Sequence, residues 1–367
     1  MNTSLPLKAT LFSALLALAP VLTQAAPPAE LALRGFDPVA LTQGQEIEGK
    51  ELWQATAGRY RYQFSSAENQ KKFESAPSRY GIQFDGFCMK MGPLSGRGSA
   101  DRWFVTDGRI YLFASESCRN QFKEDPAAFL DRADAPPRGT PSEKDRGREL
   151  IALALQGMGG PDKVDHLQNI RWEAVTVFET RGQKTEMHQA ATLMMPDRFR
   201  LDYAYGDFRE GHALANGQLL EIDAKGAATS LPDDVYEFVR RRLYHEPLAL
   251  LRARTKPGFV AFADGKGNIN GQAVEWLAVG YLGATTKLGI APESGRILAA
   301  AYQGRAPSKL GEIRRTYSQF KTFDGGLVLP QQWDVAYEGL PAPGPKPTTR
   351  TIELDVPVQA GLFPQVQ

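Results

Sequence analysis

The stretch that organises this chain begins DGFCMKM (Asp85–Met91) and continues, after a turn-rich gap, as DRWFVTDGRIYLFASESCRNQFKEDPAAF (Asp101–Phe129). It contains both cysteines of the protein, Cys88 and Cys118. It also repeats the segment before it, because six residues recur at a constant offset of 49. Tyr62, Phe64, Ser66, Phe73, Pro77 and Tyr80 correspond to Tyr111, Phe113, Ser115, Phe122, Pro126 and Phe129. This ungapped match predicts two copies of one unit, residues 37–80 and 85–129, in a domain over residues 31–134.

Each copy is predicted to fold as a short strand, at 59–64 or 109–113, followed by a helix. The helix signals are an N-cap serine, a phenylalanine on the buried stripe and a proline that ends the helix. They are Ser66, Phe73 and Pro77 in the first copy and Ser115, Phe122 and Pro126 in the second. One such unit is too small to bury its apolar face alone, so the two copies are expected to pack together.

Residues 1–25 have the pattern of a secretory signal peptide. Lys8 supplies a positive charge, 9–22 is a short apolar run, and Thr23-Gln24-Ala25 is a small-residue cleavage site. The alternative is a retained anchor, but the run is short for a membrane span and no stop-transfer pattern follows it. We therefore expect an exported, periplasmic protein that is not integral to the membrane. Its thiols would meet an oxidising compartment.

The charge balance is nearly neutral, with 43 basic and 42 acidic residues. It offers no electrostatic basis for binding nucleic acid or an acidic membrane surface. The densest basic run, Arg240-Arg241-Arg242, falls in a helical pattern and is expected on a solvated helix face.

A Pro-rich linker at 135–143 precedes a second domain at 144–364. Two short helices, at 144–156 and 162–167, lead into a long region of alternating apolar and polar residues. Strands are predicted at 170–180, 184–194, 199–205, 208–215, 218–222, 258–263, 273–281, 285–291, 297–303, 312–323, 328–337 and 349–354. The chain is thus α+β, with a duplicated strand–helix module and a curved antiparallel sheet or incomplete β-barrel.

One helical segment, 232–254 with a break near Pro247, interrupts these strands and is predicted to cover the concave side of the sheet as a lid. Its apolar residues form either ordinary core or the wall of a ligand cavity. They are Val235, Phe238, Val239, Leu243, Leu248 and Leu251.

The region from Gly35 to Asp134 resembles the YHS domain, which is related to the metal-binding TRASH modules. The likeness is carried by Asp85-Gly86-Phe87-Cys88, by the segment Tyr111–Cys118, and by the GFDPVA opening at 35–40. The metal-binding relatives commonly have a further cysteine where this chain has Ala114. The resemblance implies a small module able to bind a heavy metal.

The region from about Asp145 to Pro364 resembles the LolA-type lipoprotein carriers and their β-rich relatives. The supporting segments are LGIAPESGRI (288–297) and DGGLVLP (324–330), which are hairpin patterns. The resemblance implies a half-open barrel with a helical lid that holds acyl chains.

The two cysteines leave three interpretations open. In an oxidising compartment Cys88 and Cys118 can form a disulfide, which would stabilise the fold by about 3–4 kcal/mol. With Met89 and Met91 they can instead offer thiolate and thioether ligands to a soft metal ion, copper above all. They can also be two buried free thiols without a further role.

No pattern in the chain indicates an enzyme. The histidines lie in the second domain without metal-ligand spacing, and His245-Glu246-Pro247 fails as an HExxH site because position 249 is alanine. The first hypothesis is a non-catalytic periplasmic binding protein for a soft metal. The alternative is a carrier for lipid or lipoprotein in the second domain, with a structural disulfide in the first. A third is an accessory protein that works through partner contacts alone.

Overall fold

The computed structural model describes residues 29–180, 183–305, 309–341, 348–359 and 361–364. The predicted signal peptide, residues 1–25, lies outside them. In the first domain the strands β1 to β5 are Glu30–Leu31, Lys50–Ala57, Tyr60–Phe64, Ser99–Thr106 and Arg109–Phe113. The helices α1 to α4 are Pro38–Thr42, Ala67–Ser75, Pro77–Tyr80 and Glu116–Glu124.

The two segments of the first domain have the same order of elements, a hairpin followed by a helix. β2 pairs with β3, β4 pairs with β5, and both pairs are antiparallel. The Ser66 side chain accepts a hydrogen bond from the Asn69 amide, and Ser115 accepts one from the Cys118 amide, as N-caps do. Phe73 is 1% exposed and Phe122 is fully buried. The predicted caps and buried aromatics are confirmed.

A buried carboxylate lies beside the start of the helix in the first segment. Asp37 is fully buried and accepts hydrogen bonds from the backbone amides of Val39 and Ala40 and from Ser65. The Asn69 side chain also donates to it, over 2.7 Å. Asn69 occupies the position that Cys118 has in the second segment, so one segment is closed by a polar pair and the other by two thiols.

We expect Asn69→Ala to lower the free energy of unfolding by about 1–2 kcal/mol, because a buried charged acceptor loses one donor. Urea denaturation followed by circular dichroism measures this change. The matched control is Asn120→Ala in α4, an exposed asparagine, with an expected effect within about 0.5 kcal/mol. Equal effects of the two substitutions would contradict a structural role for the Asn69–Asp37 contact.

In the second domain the helices α5 to α8 are Pro141–Gly157, Pro161–His166, Asp233–Leu243 and Pro247–Arg252. Strands β6 to β12 are Asn169–Thr180, Gln183–Met194, Arg198–Tyr205, Phe208–Ala215, Gln218–Ile222, Ala228–Leu231 and Val260–Ile269. Strands β13 to β19 are Gln272–Tyr281, Ala284–Ile290, Ile297–Arg305, Leu310–Thr322, Val328–Tyr337, Leu340–Pro341 and Thr348–Leu354. Short 3-10 turns lie at Ala32–Gly35, Gln83–Gly86, Pro126–Ala128 and Ala253–Thr255.

Within the described residues these fourteen strands form one antiparallel sheet, in the order β11-β10-β9-β8-β7-β6-β19-β17-β16-β15-β14-β13-β12, with β18 beside β17. Its edge strands, β11 and β12, do not pair with each other there. Side chains from β10 and from β15, far apart in this order, line one cavity, so the sheet is strongly curved. The predicted curved antiparallel sheet is confirmed. No helix within the described ranges is both long and apolar enough to cross a membrane.

The first domain packs against the second at α7 and the β9–β10 hairpin. Phe87 joins a buried cluster with Leu214, Leu219, Leu231 and Val235. The Phe84 amide donates to the carboxylate of Asp234, and Arg97 forms a 2.6 Å ion pair with Glu221. The two domains therefore share a buried interface in addition to the covalent linker.

The basic run on α7 contributes to this interface. Arg241 is not solvated, since its side chain is only 13% exposed and donates to the Asp131 carbonyl over 3.1 Å. The expectation of a solvated face is wrong for this residue, because the first domain covers that side of the helix.

Candidate functional site

The concave face of the sheet and the helices α7 and α8 enclose a cavity of about 590 Å³. Most of its wall is apolar, with contributions that include Leu193, Phe199, Leu201, Leu214, Ile313 and Trp333. Inward and outward residues alternate along each strand, so one face of the sheet supplies this wall. A volume of this size and a mostly apolar wall are typical of a small-molecule site.

The six predicted cavity residues divide into two groups. Phe238, Val239, Leu243 and Leu248 line the cavity. Val235 does not, because it faces the first domain and packs with Phe87. Leu251 belongs to the main hydrophobic core, as its position on α8 turns it away from the cavity. For Val235 and Leu251 the core interpretation holds.

A loop of the first domain closes part of the same cavity. Pro93, Leu94 and Ser95 belong to its lining. Leu94 also packs against the cluster formed by Phe87 and the β9–β10 hairpin. No pattern in the sequence indicates this contribution, since it depends on how the two domains dock. The candidate site therefore includes both domains.

Charged side chains line the cavity as well, and among the described residues the positive charges outnumber the negative ones. Four are arginines and one is a glutamate: Arg242, Arg296, Arg315, Arg350 and Glu246. Arg242 and Arg296 are exposed, whereas Arg315 and Arg350 are only partly so. Arg315 lies between Ile313 and Tyr317 at alternating positions of β16, and all three line the cavity. This inward register was the signal that could have revealed a charged group in the site.

Glu246, in the turn between α7 and α8, joins the lid to the sheet. Its carboxylate accepts a hydrogen bond from Arg315 of β16. Burial alone would raise the pKa of Glu246, but the charges of Arg315 and Arg350 outweigh it and hold that pKa below its ordinary value. The carboxylate is therefore ionised at neutral pH and forms an ion pair across the cavity.

His245, the neighbouring lid residue, makes a second connection. Its ring stacks on Tyr302 with 3.9 Å between ring centroids, and its Nδ1 lies 2.8 Å from the Thr286 hydroxyl. Burial, together with the positive charges of Arg242 and Arg315, lowers the pKa of His245 from 6.5 to about 3. The imidazole is neutral at physiological pH and acts as a polar contact of the lid.

This shift predicts a pH dependence of stability. The pKa of His245 is lower in the folded state than in the unfolded state. As the pH falls from 6.5 towards about 3, this imidazole therefore binds a proton only in the unfolded state. Stability is then fully present above pH 6.5 and is lost across that window at up to about 1.4 kcal/mol per pH unit. We expect His245→Gln to flatten this part of the urea-denaturation profile. His188→Gln, at a histidine that is 60% exposed, should leave the profile unchanged; equal profiles for all three proteins would contradict the assignment.

The two cysteines, both free in the structure, meet in the core of the first domain. Cys88 and Cys118 pack in one apolar cluster, and burial, with a smaller effect of the neighbouring Cys118, raises the pKa of Cys88. Met89 is 1% exposed and packs in the same cluster, whereas Met91 is 40% exposed. The domain fold thus brings the two sulfurs together, and only one of the two predicted methionine ligands is buried beside them.

Glu210, His212 and Glu221 form a further polar cluster near the domain interface. One ligand atom from each lies within 4.8 Å of the others. The Glu221 carboxylate, however, already pairs with Arg97 at 2.6 Å and with Arg59 at 3.6 Å. His212 Nε2 lies 3.0 Å from Glu210. We assign this cluster to the electrostatic contact between the two domains.

The sequence matches no protein-family profile and no curated protein. The solved structures found by comparison align with about 59% of this chain and with nearly all of their own. A LolA-superfamily protein from Nitrosomonas europaea is 9% identical over 59% of this chain and 97% of its own, with a TM-score of 0.40. A DUF1329 family protein from Desulfovibrio piger is 13% identical over 59% and 96%, with a TM-score of 0.33. LprF from Mycobacterium bovis is 12% identical over 59% and 97%, with a TM-score of 0.26. The predicted likeness to the YHS domain stays a prediction.

Proposed function

We propose that this protein is a non-catalytic carrier that holds the acyl chain of a lipid or lipoprotein in the cavity between the curved sheet and the lid. The observation that carries the proposal is the cavity itself, about 590 Å³ in volume and walled largely by leucine, isoleucine, phenylalanine and tryptophan. Apolar surface that stays open inside a folded protein favours an apolar occupant, because its transfer out of water is worth about 25 cal/mol per Å².

The lid supports this proposal. Helices α7 and α8 cover the concave face, and the residues between them make three polar contacts with the sheet: Tyr244 and His245 with Thr286, and Glu246 with Arg315. Contacts of this kind can break and reform, and the lid also packs through apolar side chains such as Phe238 and Leu243. The proposed carrier would load and release its cargo by moving this segment. Export to the periplasm stays a prediction.

Native mass spectrometry of the purified chain tests the proposal. We expect co-purifying lipid adducts, or saturable uptake of a fluorescent fatty acid by delipidated protein. A chain that carries no adduct and takes up no amphiphile at micromolar concentration would overturn the proposal.

Soft-metal binding at the two cysteines is a second candidate, favoured by the packing of Cys88 and Cys118, both free thiols, in one cluster. Thiolates prefer Cu(I), and Met89 is a buried thioether in the same cluster. Competition with a Cu(I) chelator, run on reduced protein and on Cys88→Ser/Cys118→Ser, is the test. Copper retained by the wild type and lost by the variant supports this candidate; a thiol titration that finds only disulfide, with no copper taken up, refutes it.

A further inference from the structure

Arg350 is a partly buried arginine of the cavity whose charge is not matched by an ion pair among the described residues. It lies on β19, between β6 and β17, and its guanidinium carbon is 4.9 Å from the ring centroid of Trp333 and 6.0 Å from that of Trp172. Its hydrogen bond to the Pro330 carbonyl is long, 3.4 Å, and its Nε has no partner. In the described part of the chain no carboxylate lies within ion-pair distance of it.

The nearest acidic group is already engaged. Glu246 is the only acidic residue among the described residues that line the cavity, and it is hydrogen bonded to Arg315. One negative charge therefore faces two guanidinium groups in the interior, and the exposed Arg242 and Arg296 add to the positive side. Burial lowers the pKa of Arg350, as expected for a cation that lacks full compensation.

A neutral polar group near Arg350 is also without a partner. The hydroxyl of Tyr317 is buried and makes no hydrogen bond. Tyr317 is the direct cross-strand neighbour of Trp333, so its side chain lies on the same face of the sheet as Trp333, which Arg350 contacts. The buried Tyr317 hydroxyl and the buried Nε of Arg350, both without a hydrogen-bond partner, cost free energy that an acceptor would recover.

We propose that the cavity selects an amphiphile with an anionic headgroup, a carboxylate or a phosphate, which Arg350 and Tyr317 bind while its acyl chain lies against the apolar wall. A guanidinium presents parallel N–H donors that match the oxygens of these anions. The wall supplied by Leu193, Phe199, Leu201 and Leu214 lies on β7 to β9, on the other side of β6 from Arg350, and would take the chain. The inference rests on the proposed function and specifies its cargo.

Competition with a bound fluorescent amphiphile tests it, with three ligands of equal chain length: hexadecanoic acid, hexadecyl phosphate and hexadecanol. At neutral pH we expect one or both anions to bind roughly tenfold or more tighter than the alcohol, the effect of one charge-assisted hydrogen bond. The stronger of the two identifies the headgroup. The preference should disappear in Arg350→Gln and persist in Arg171→Gln, at an exposed arginine of the adjacent strand.

The outcomes separate the two proposals. Equal affinity for acid, phosphate and alcohol in the wild type would overturn the anion site and leave the carrier function standing. Failure of every amphiphile to bind would remove both. Should Arg350→Gln not fold, Arg350→Lys is the second variant, since it keeps the positive charge but lacks the planar guanidinium group. It is expected to retain part of the preference for the anions over the alcohol. Full loss of binding to all three ligands in a folded Arg350→Lys protein would contradict the proposed role.

Discussion

Glu246→Ala is expected to lower the free energy of unfolding by about 2–4 kcal/mol, since removing one partner of a largely buried ion pair leaves the other uncompensated. Arg315 would then share the cavity with Arg350 and face no carboxylate among the described lining residues. The side chains of Arg315 and Glu246 are 26% and 36% exposed. The expected loss of stability is therefore smaller than for an ion pair that is fully buried. Urea denaturation at neutral pH measures the loss.

The control is Glu237→Ala on the same helix. Glu237 pairs with Arg240 but is 42% exposed, so its removal should cost about 0.5 kcal/mol or less. In the double variant Glu246→Ala/Arg315→Ala the loss should be smaller than the sum of the two single losses, because neither charge is left alone. Additive effects, or a Glu246→Ala protein as stable as Glu237→Ala, would show that the lid does not depend on this pair.

Leu201→Trp is expected to weaken binding of the acyl ligand by tenfold or more, because a larger side chain at this position occupies cavity space. Leu201 lies on β8 and is only partly buried, since its side chain borders the cavity. The indole can extend into open volume, so we expect the fold to be retained with a stability change within about 1–3 kcal/mol. Fluorescent fatty-acid titration gives the affinity.

Thr229→Trp is the matched control, the same residue introduced at an exposed position of β11. It should bind the ligand like the wild type. Unchanged affinity in a folded Leu201→Trp protein would mean that the ligand lies elsewhere, and equal loss in both variants would mean that the effect is not local to the cavity.

The parts of the fold that depend on local signals could be predicted from the sequence. Ser66 and Ser115 cap helices because a serine before a helical pattern satisfies free amides whatever surrounds it. The strands at 208–215, 218–222 and 328–337 have the predicted bounds, because turn residues between apolar segments mark where each one begins and ends. The sequence also predicts that Cys88 and Cys118 come together, and the two cysteines pack in one cluster.

Among the strands that were not predicted, two have a physical reason in common. β2 and β4, the first strands of the two hairpins, each contain a shift in register, between Lys50 and Gln54 and between Ser99 and Trp103. Such an irregularity breaks the alternation of period two on which a strand is recognised. The same break recurs at an offset of 49 residues, so both segments conceal their first strand in the same way.

The charged part of the site could not be predicted because it depends on tertiary structure. Arg350, Arg315 and Glu246 are separated in sequence and meet only when β19, β16 and the lid surround one cavity. Sequence analysis named apolar lid residues and missed the arginines. The contribution of Pro93, Leu94 and Ser95 to the cavity wall could not be predicted for the same reason, since it requires the first domain to pack against the second.

The most direct measurement is the quenching of tryptophan fluorescence by a fatty acid that carries bromine atoms on its acyl chain. Trp172 and Trp333 both line the cavity, and their ring centroids are 6.5 Å apart. An acyl chain inside the cavity quenches these two residues, so the quenching should be saturable and should largely vanish in Trp172→Phe/Trp333→Phe while binding persists. Equal quenching in that double variant, or binding without any quenching in the wild type, would place the acyl chain outside the cavity and contradict the account.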